Sequence, residues 1–267
     1  LEGGEVARRA GGGRRGVELQ VVEGAGANID VLILPKVSRA EAVVTVETLL
    51  NGIEANMGFA RRIGIEAQIE SVQGLANCEA IAQASSRVEA LDFGPGDFSA
   101  SAQMPAVNIG EPDEYDALYP GHRWHYAMSR VLVAARAAGV RAIDGPYANF
   151  NAAEGLRRSA SIARALGFDG KWAIHPAQLG TLNEVFAPTQ AEVERARRVV
   201  EAYEAAKQDR RGVIVVDGRM VDEATIKMAL MDLSKGAQAG LVDQKELTEW
   251  AAKSREITGY DILEMMR

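Results

Sequence analysis

Two acidic residues close consecutive strand-like runs of the sequence. Glu70 ends the run that begins at Arg62, and Asp97 lies in the Gly-Pro-Gly-Asp turn after the run from Val88 to Phe93. One helix-length segment separates the runs, so the two carboxylates stand one βα unit apart. In a parallel barrel the carboxyl ends of neighbouring strands open on the same face, where active sites are built. Two hard oxygen ligands on that face suit Mg²⁺ completed by water and substrate.

Each residue at a strand end also has a plainer interpretation. A glutamate such as Glu70 is often only solvated there, and Asp97 could cap the helix that follows its turn. Lys36 could attract a phosphate, but a solvated lysine at a strand end is the ordinary case. Asp144 ends a further strand, and we expect it to brace the Gly-Pro loop that follows it rather than to bind metal.

Alternating strands and helices must position the two carboxylates. Strand-like runs are expected at 31–35, 62–69, 88–93, 141–144 and 171–175, with helical patterns between them. This alternation predicts a parallel α/β architecture. A closed (β/α)₈ barrel needs eight strands. The pattern therefore leaves two possibilities, an open sheet or a barrel whose first strands are missing from the sequence.

Other parts of the chain depart from the alternation. Residues 1–16 are rich in glycine and arginine without apolar periodicity, so we expect a disordered or incomplete N-terminal segment. A polar, loop-rich insertion at about 99–121 is typical of a substrate loop. We expect the barrel portion at 17–208 and, at 209–267, a helical C-terminal extension that serves as a lid or in oligomerisation.

The composition excludes several classes of function. The net charge is −7, and no basic run is long enough for a nucleic-acid surface. No apolar run approaches the ~20 residues of a membrane span, and no signal peptide opens the chain. The single cysteine, Cys78, excludes an internal disulfide and suits a reducing compartment. We therefore expect a cytoplasmic protein in which Cys78 is a buried packing residue.

Several short motifs occur in one order along the chain. They are Leu34-Pro35-Lys36-Val37, Ile69-Glu70-Ser71, Phe93-Gly94-Pro95-Gly96-Asp97-Phe98-Ser99-Ala100-Ser101, Asp144-Gly145-Pro146 and Trp172-Ala173-Ile174-His175-Pro176. Together they resemble the HpcH/HpaI aldolase and citrate lyase β-subunit superfamily, on its CoA-ester lyase branch. Within that branch the resemblance is to malyl-CoA/β-methylmalyl-CoA lyases, and it extends over about 17–234.

The resemblance implies a TIM (β/α)₈ barrel with a C-terminal extension. The expected strands would then be its fourth to eighth. Strands one to three, the third of which carries a substrate-binding arginine in the family, would have no counterpart in this sequence. A chain without them is expected neither to close a barrel nor to have lyase activity. The resemblance further implies an obligatory homo-oligomer, a trimer or a dimer of trimers.

The resemblance also implies roles for individual residues of the barrel portion. Glu70 and Asp97 match the family's two Mg²⁺ ligands. Gly96 and Asp97 match positions that contact the substrate, where a backbone N–H can meet a carboxylate. Ile174 and His175 match positions that contact the CoA ester, although a structural hydrogen bond would explain His175 equally well.

Asp222 matches an aspartate on the C-terminal segment that reaches a neighbouring subunit's active site. Its position at a helix start would also be explained by N-capping alone. The implied reaction is a reversible Claisen-type cleavage of malyl-CoA or β-methylmalyl-CoA to glyoxylate and acetyl-CoA or propionyl-CoA. Asp97 would act through the metal, and Asp222 would exchange the proton at the acyl carbon.

Other functions stay open on the same scaffold. One is a citramalyl-CoA or citrate-type lyase, and another is a malyl-CoA thioesterase, which would hydrolyse the thioester without cleaving a C–C bond. A third, of a different class, is a non-catalytic subunit that only assembles with partners. The absent arginine-bearing strand favours this third possibility.

Overall fold

The computed structural model describes residues 7–9, 28–105, 108–118, 122–208 and 214–258. The chain divides into two units, Leu1–Phe186 and Ala187–Arg267, each with its own apolar core. The division comes earlier than the boundary expected at 209. The reason is that the long helix before that position packs its apolar side with the C-terminal helices.

The first unit alternates parallel strands with helices, as the sequence pattern predicts. Its described strands form one sheet in chain order, each hydrogen-bonded in parallel to the next. The strands are β1 Ala7–Arg9, β2 Val31–Leu34, β3 Gly64–Ile69, β4 Val88–Phe93, β5 Arg141–Asp144 and β6 Gly170–Lys171. The helices are α1 Ala40–Met57, α2 Val72–Ala76, α3 Cys78–Ala82, α4 Pro95–Ser101, α5 His125–Ala138, α6 Ala153–Leu166 and α7 Leu179–Phe186. Turns of 3₁₀-helix occur at Glu114–Ala117 and Pro176–Gln178.

The observed strands confirm four of the expected runs. They differ from the expectation at 171–175 and within residues 1–16. The run expected at 171–175 ends as a strand at Lys171, because the backbone N–H groups of Ile174 and His175 donate to the Gln178 side chain rather than to a neighbouring strand. Within residues 1–16, where no regular structure was expected, β1 pairs with β2. The rest of that segment lies outside the described residues. Among the described strands, β1 and β6 stand at the two ends of the sheet order.

One face of the sheet is apolar and is covered by helices. Side chains alternate between faces along each strand, and the register places Ile69 beside Phe93. Both are fully buried in a core that includes Ile81 of α3 and Val131 of α5. Burial of such a side chain stabilises the fold by about 1.5–3 kcal/mol. Cys78 lies in the same core, as expected of a packing residue.

The opposite face of the sheet is buried but polar. Glu66, Gln68 and Asp92 lie on it, with Gln68 directly beside Asp92. Glu70 continues this face at the end of β3, because it follows Gln68 by two positions. The sheet therefore separates an apolar side under the helices from a polar side that leads to the predicted carboxylates.

The described part of the insertion after α4 is held by one arginine. The Arg123 guanidinium is almost fully buried and donates to Asp113 Oδ2 at 2.8 Å, to Asp116 Oδ1 at 3.3 Å and to the Pro105 carbonyl at 2.6 Å. Trp124 Nε1 donates to Ser99 Oγ of α4 at 2.9 Å. The insertion is thereby fixed to the helix that carries Asp97.

The second unit is a small bundle with a β-hairpin. It contains α8 Gln190–Gln208, β7 Ile214–Val216, β8 Arg219–Val221, α9 Glu223–Gln238 and α10 Gln244–Thr258. Asp217 and Gly218 form the two-residue hairpin turn with φ of 50° and 73°, as a type I′ turn requires. Val200, Ile226 and Trp250 are buried in its core. Among the described residues of both units, no helix is long and apolar enough to span a membrane.

Candidate active site

The predicted pair of carboxylates follows two neighbouring strands. Glu70 comes directly after β3 and is only 3% exposed. Asp97 is exposed in the first turn of α4, which begins directly after β4. The Gly94 N–H donates to the Ile69 carbonyl at 3.0 Å, so the turn after β4 stays against the end of β3. Both acidic residues therefore lie at the same edge of the sheet, as predicted.

Lys36 joins the two carboxylates directly. Its backbone N–H donates to Glu70 Oε1 at 2.8 Å, and its Nζ pairs with Asp97 Oδ1 at 2.9 Å. Lys36 follows β2 and has a φ of 55°, in the left-handed region that residues other than glycine seldom adopt. Such conformations cluster at functional sites. The Lys36 side chain is 58% exposed, as expected of a strand-end lysine, and it also pairs with Asp97.

Two glycines, Gly94 and Gly96, lie in the turn beside Glu70 and Asp97 where little space is left for a side chain. A Cβ atom added to Gly94 would lie 2.5 Å from Glu70 Cβ and 2.8 Å from Glu70 Oε2. A Cβ added to Gly96 would lie 3.2 Å from Cγ1 of Ile109, in the insertion. Gly94 is therefore required for the close approach of Glu70. Gly96, predicted to contact substrate, lies one residue before Asp97 in the same helical turn.

The donor set fits a magnesium ion. Mg²⁺ is usually bound by one or two carboxylates, with waters and substrate oxygens completing its octahedron. Glu70 and Asp97 supply two such carboxylates, and among the described residues no group of three or more His, Cys, Asp or Glu side chains offers a denser site. The Lys36 ammonium already holds a positive charge against Asp97. Glu70 and Asp97 are thus the carboxylates at this edge of the sheet that would hold such an ion.

Ile174 and His175, the predicted CoA-ester contacts, share an exposed turn after β6. Their backbone N–H groups both approach Gln178 Oε1, at 2.8 and 3.3 Å. His175 Nδ1 accepts from the Ala177 N–H at 3.1 Å, and the ring stacks on Phe150 with centroids 4.8 Å apart. The structural hydrogen bond considered for His175 is therefore present, and its ring edge stays exposed.

Gln178 is a site residue that sequence reasoning missed. It is 1% exposed, and its Nε2 donates to the Tyr147 carbonyl at 2.8 Å. Gln178 therefore ties the turn of Ile174 and His175 to the loop after β5. A glutamine three residues after His175 is a capping-box spacing, which was the available signal.

Asp222 lies in the second unit, as the N-cap of α9. Its Oδ1 accepts from the Thr225 backbone N–H and from Thr225 Oγ1, both at 3.0 Å. These hydrogen bonds, the backbone one first, lower the pKa of the Asp222 carboxyl. The capping explanation is therefore correct for its local geometry. A catalytic role in a neighbouring subunit stays a prediction.

Asp92 is a second residue that the sequence did not single out. It is fully buried on the polar face, beside the Glu66 carboxyl and the Trp172 side chain. Burial raises the pKa of Asp92 well above its usual range, and the nearby Glu66 carboxylate raises this pKa further. A charged residue in the middle of an apolar run was the only signal.

A profile of the HpcH/HpaI aldolase/citrate lyase family matches residues 6–176. This chain belongs to the HpcH/HpaI aldolase/citrate lyase family. The L-malyl-CoA/beta-methylmalyl-CoA lyase of Rhodobacter capsulatus is 40% identical over 217 residues, which cover 79% of this chain and 68% of the relative. The citrate lyase subunit beta of Escherichia coli (strain K12) is 35% identical over 228 residues, which cover 85% of this chain and 71% of the relative.

Solved structures of citrate-lyase-type proteins share the fold. The chain aligns with CitE from Mycobacterium tuberculosis, in complex with magnesium, acetoacetate and coenzyme A, at a TM-score of 0.62 and 24% identity. That alignment covers 86% of this chain and 77% of CitE. A citrate lyase from Burkholderia xenovorans LB400 aligns at a TM-score of 0.73 and 19% identity, and the alignment covers 91% of this chain and 76% of that protein. At these identities the likeness establishes the fold alone.

The family assignment confirms the resemblance that the ordered motifs predict. Four of those motifs contribute residues to the geometry above: Lys36, Glu70, the turn of Gly94 and Asp97, and the turn of Ile174 and His175. Members of the HpcH/HpaI aldolase/citrate lyase family are carbon–carbon lyases, and this chain is an enzyme of that class.

Proposed function

We propose that this protein is a Mg²⁺-dependent CoA-ester lyase that cleaves malyl-CoA or β-methylmalyl-CoA. The observation that carries the proposal is the convergence of Glu70 and Asp97 on Lys36, within an HpcH/HpaI aldolase/citrate lyase scaffold. The magnesium in the CitE complex and the malyl-CoA lyase relatives support the same assignment.

Glu70 and Asp97 would hold the ion, which supplies Lewis-acid polarisation of the substrate's hydroxyl and carboxylate when bound. Glu70 is fixed for this task by the Lys36 N–H and by the close approach of Gly94. The Lys36 ammonium, next to Asp97, would pair with an anionic group of the substrate. The N–H of Gly96 would meet the substrate carboxylate beside Asp97.

The CoA thioester would lie toward the turn of Ile174 and His175. Transfer of the substrate hydroxyl proton to solvent water lets its oxygen form the carbonyl of glyoxylate while the C–C bond breaks. The electron pair passes to the acyl carbon as the thioester enolate, and a proton delivered there gives acetyl-CoA or propionyl-CoA. Asp222 of a neighbouring subunit would exchange this proton, because hydrogen bonds from Thr225 fix its carboxylate.

We further propose that β2–β6 are the fourth to eighth strands of a TIM (β/α)₈ barrel. The alignments with solved citrate-lyase-type structures support this placement. The C-terminal unit would then contribute to a homotrimer or a dimer of trimers. A role of Asp222 in a neighbouring site requires such an assembly.

A citrate-type or citramalyl-CoA lyase is the second candidate, favoured by the 35–36% identity to citrate lyase beta subunits. Incubation with malyl-CoA, β-methylmalyl-CoA or citramalyl-CoA separates the candidates by the oxo acid released. Release of free CoA without an oxo acid would instead identify a thioesterase. No turnover of any ester by an assembled protein would identify a non-catalytic subunit.

The metal site is tested by Glu70→Gln and Asp97→Asn. Each removes a carboxylate ligand while keeping the side chain's size, so kcat/KM should fall at least ~100-fold. Glu79→Gln is the matched control, because Glu79 is an exposed carboxylate of α3 paired with Arg130. EDTA should abolish turnover and Mg²⁺ should restore it. Full activity in EDTA, or in both site variants, would reject the metal-dependent lyase.

A further inference from the structure

A cavity of about 370 Å³ lies in the first unit, on the opposite side of the sheet from Glu70. Phe93 of β4, Trp124, Met128 of α5 and Ile162 of α6 form apolar parts of its wall. Phe93 belongs to the apolar face of the sheet, whereas Glu70 continues the polar face. Small-molecule sites commonly have volumes of ~300–1,000 Å³ and mostly apolar walls with a few polar groups. The cavity has this character.

A buried ion pair lies in the wall of the cavity and is internally satisfied. Lys171 Nζ is 2.5 Å from Asp144 Oδ2, and the two side chains are only 2% and 6% exposed. Asp144 Oδ1 also accepts from the Gly145 N–H at 2.8 Å, which is the loop bracing that we expected for it. Because these charges neutralise each other, the pair gives the cavity polarity without a net charge.

Arg158 supplies a positive charge that is not neutralised in this way. It lines the cavity from α6 as an exposed residue, and none of the described carboxylates forms a salt bridge with it. The other two carboxylates of the wall, Asp113 and Asp116, are paired with Arg123. The preceding residue, Arg157, pairs with Glu184 at 2.7 Å and is not part of the cavity wall. One face of α6 therefore presents a guanidinium to the cavity, and a bidentate acid group is its natural partner.

His122 provides a second polar group in need of a partner. Its Nε2 is buried and has no hydrogen-bond partner among the described residues. Burial, and then the neighbouring His125, lower the pKa of His122, so the imidazole is neutral near pH 7. A buried ring nitrogen without a partner carries an uncompensated desolvation cost, which a ligand atom would remove.

We propose that this cavity binds a compact organic anion, with an apolar body and one carboxylate. Its body lies against Phe93, Trp124 and Met128, its carboxylate pairs with Arg158, and His122 supplies a further hydrogen bond. The site shares none of these residues with the Glu70 and Asp97 pair. The proposal therefore goes beyond the lyase function and does not depend on it.

Titration calorimetry of the full chain with benzoate, benzamide and benzylamine tests the site. These probes share one planar apolar body and differ in charge. Saturable binding of benzoate is expected, with a Kd at least about tenfold lower than that of benzamide and no binding of benzylamine. Equal affinity for benzoate and benzamide, or no saturable binding of either, would overturn the proposal.

The adjacent arginines provide a matched pair of variants. Arg158→Gln should raise the benzoate Kd about tenfold or more and leave the benzamide Kd unchanged, because only the anion loses a partner. Arg157→Gln should leave both values unchanged, because Arg157 does not line the cavity. An effect of Arg157→Gln equal to that of Arg158→Gln would show nonspecific attraction to the surface of α6 and would overturn the proposal.

The location is tested separately from the charge. Ser159→Phe places a ring in the cavity wall and should abolish binding of benzoate and benzamide, with folding checked by circular dichroism. Asp97→Asn and EDTA should leave the benzoate Kd unchanged, because the carboxylate pair lies across the sheet. Loss of benzoate binding in Asp97→Asn would assign the anion to the metal-binding edge and contradict the cavity site. Lyase activity is not needed for any of these readouts.

Discussion

Lys36 shows at the scale of one residue how the candidate site is assembled. Its backbone N–H donates to Glu70 and its side chain pairs with Asp97. This single residue, in the turn that follows β2, therefore connects the ends of β3 and β4. The ion pair is largely exposed and is worth no more than ~1 kcal/mol. Its importance is therefore positional, because Lys36 contacts both carboxylates and links the segments that carry them.

Asp222 combines two roles that one substitution can separate. Asparagine caps helices about as well as aspartate, but it cannot exchange a proton. Asp222→Asn should therefore leave the Tm nearly unchanged while kcat falls roughly 10²–10⁴-fold. Asp222→Ala, the comparison variant, should lower both the Tm and kcat. Wild-type kcat in Asp222→Asn would leave capping as the residue's only role.

Asp92 should make stability depend on pH. Burial, and then Glu66, raise its pKa in the folded state, so the folded protein holds this proton more tightly than the unfolded chain. The resulting stabilisation is fully present below the unfolded pKa, near 4, and is lost as pH rises toward the folded pKa.

Asp92→Asn removes this proton linkage. Urea unfolding from pH 4 to pH 8 should show the variant gaining stability relative to wild type as pH rises, by at most ~1.4 kcal/mol per pH unit. A stability difference that is constant over this range would contradict the raised pKa of Asp92.

At the scale of elements, the turn from β4 into α4 does most to shape the site. Pro95 starts the helix with a suitable fixed φ, and Gly94 lets Glu70 approach closely. The insertion then packs Ile109 over Gly96 and anchors Trp124 to Ser99. The turn that carries Asp97 is therefore held from both sides.

Gly94→Ala should disrupt this turn. Its Cβ would collide with Glu70, so a loss of about 1–3 kcal/mol in the free energy of unfolding is expected, together with weaker Mg²⁺ binding. Gly52→Ala is the control, because a Cβ there meets nothing within 4 Å. In the interior of α1 it should stabilise by about 0.5–1 kcal/mol. Unchanged stability and Mg²⁺ affinity in Gly94→Ala would contradict the close approach of Glu70.

Arg123→Ala should loosen the insertion. It leaves Asp113 and Asp116 half-buried without their shared partner, so a loss of about 3 kcal/mol and faster proteolytic cleavage between 105 and 122 are expected. Arg130→Ala breaks a much more exposed pair with Glu79 and should cost less than ~1 kcal/mol. Equal protease resistance in wild type and Arg123→Ala would show that other contacts hold the insertion.

At the scale of the whole molecule, the proposed site needs residues from both units. Glu70 and Asp97 belong to the first unit and Asp222 to the second. In the family resemblance, the second unit acts on a neighbouring subunit. The chain's chemistry would then depend on its assembly, and mutations in the two units should complement each other.

Mixing subunits tests this dependence. Homo-oligomers of Glu70→Gln and of Asp222→Asn should each be nearly inactive. Co-refolding them in equal amounts should restore about a quarter of the wild-type sites, because each site needs one intact residue from each of two chains. No restored activity in verified mixed oligomers would show that both residues act within one chain.

Local sequence patterns suffice to predict the parallel α/β architecture, the positions of β2–β5 and the placement of Glu70 and Asp97 at one edge of the sheet. These features follow from short-range signals: apolar runs of strand length, helical spacing between them, and acidic residues at two strand ends. The ordered motifs likewise indicated the family, because they require only residue identity and order.

The contacts of Lys36 and Gln178 and the burial of Asp92 became known from the folded chain. Lys36 contacts a residue 61 positions later, and Gln178 contacts one 31 positions earlier, so neither partner is readable from local spacing. The burial of Asp92 depends on what covers the sheet, and β1 acquires its strand only by pairing with β2. Contacts between distant segments decide such features, because burial and hydrogen-bond partners are properties of the packed chain.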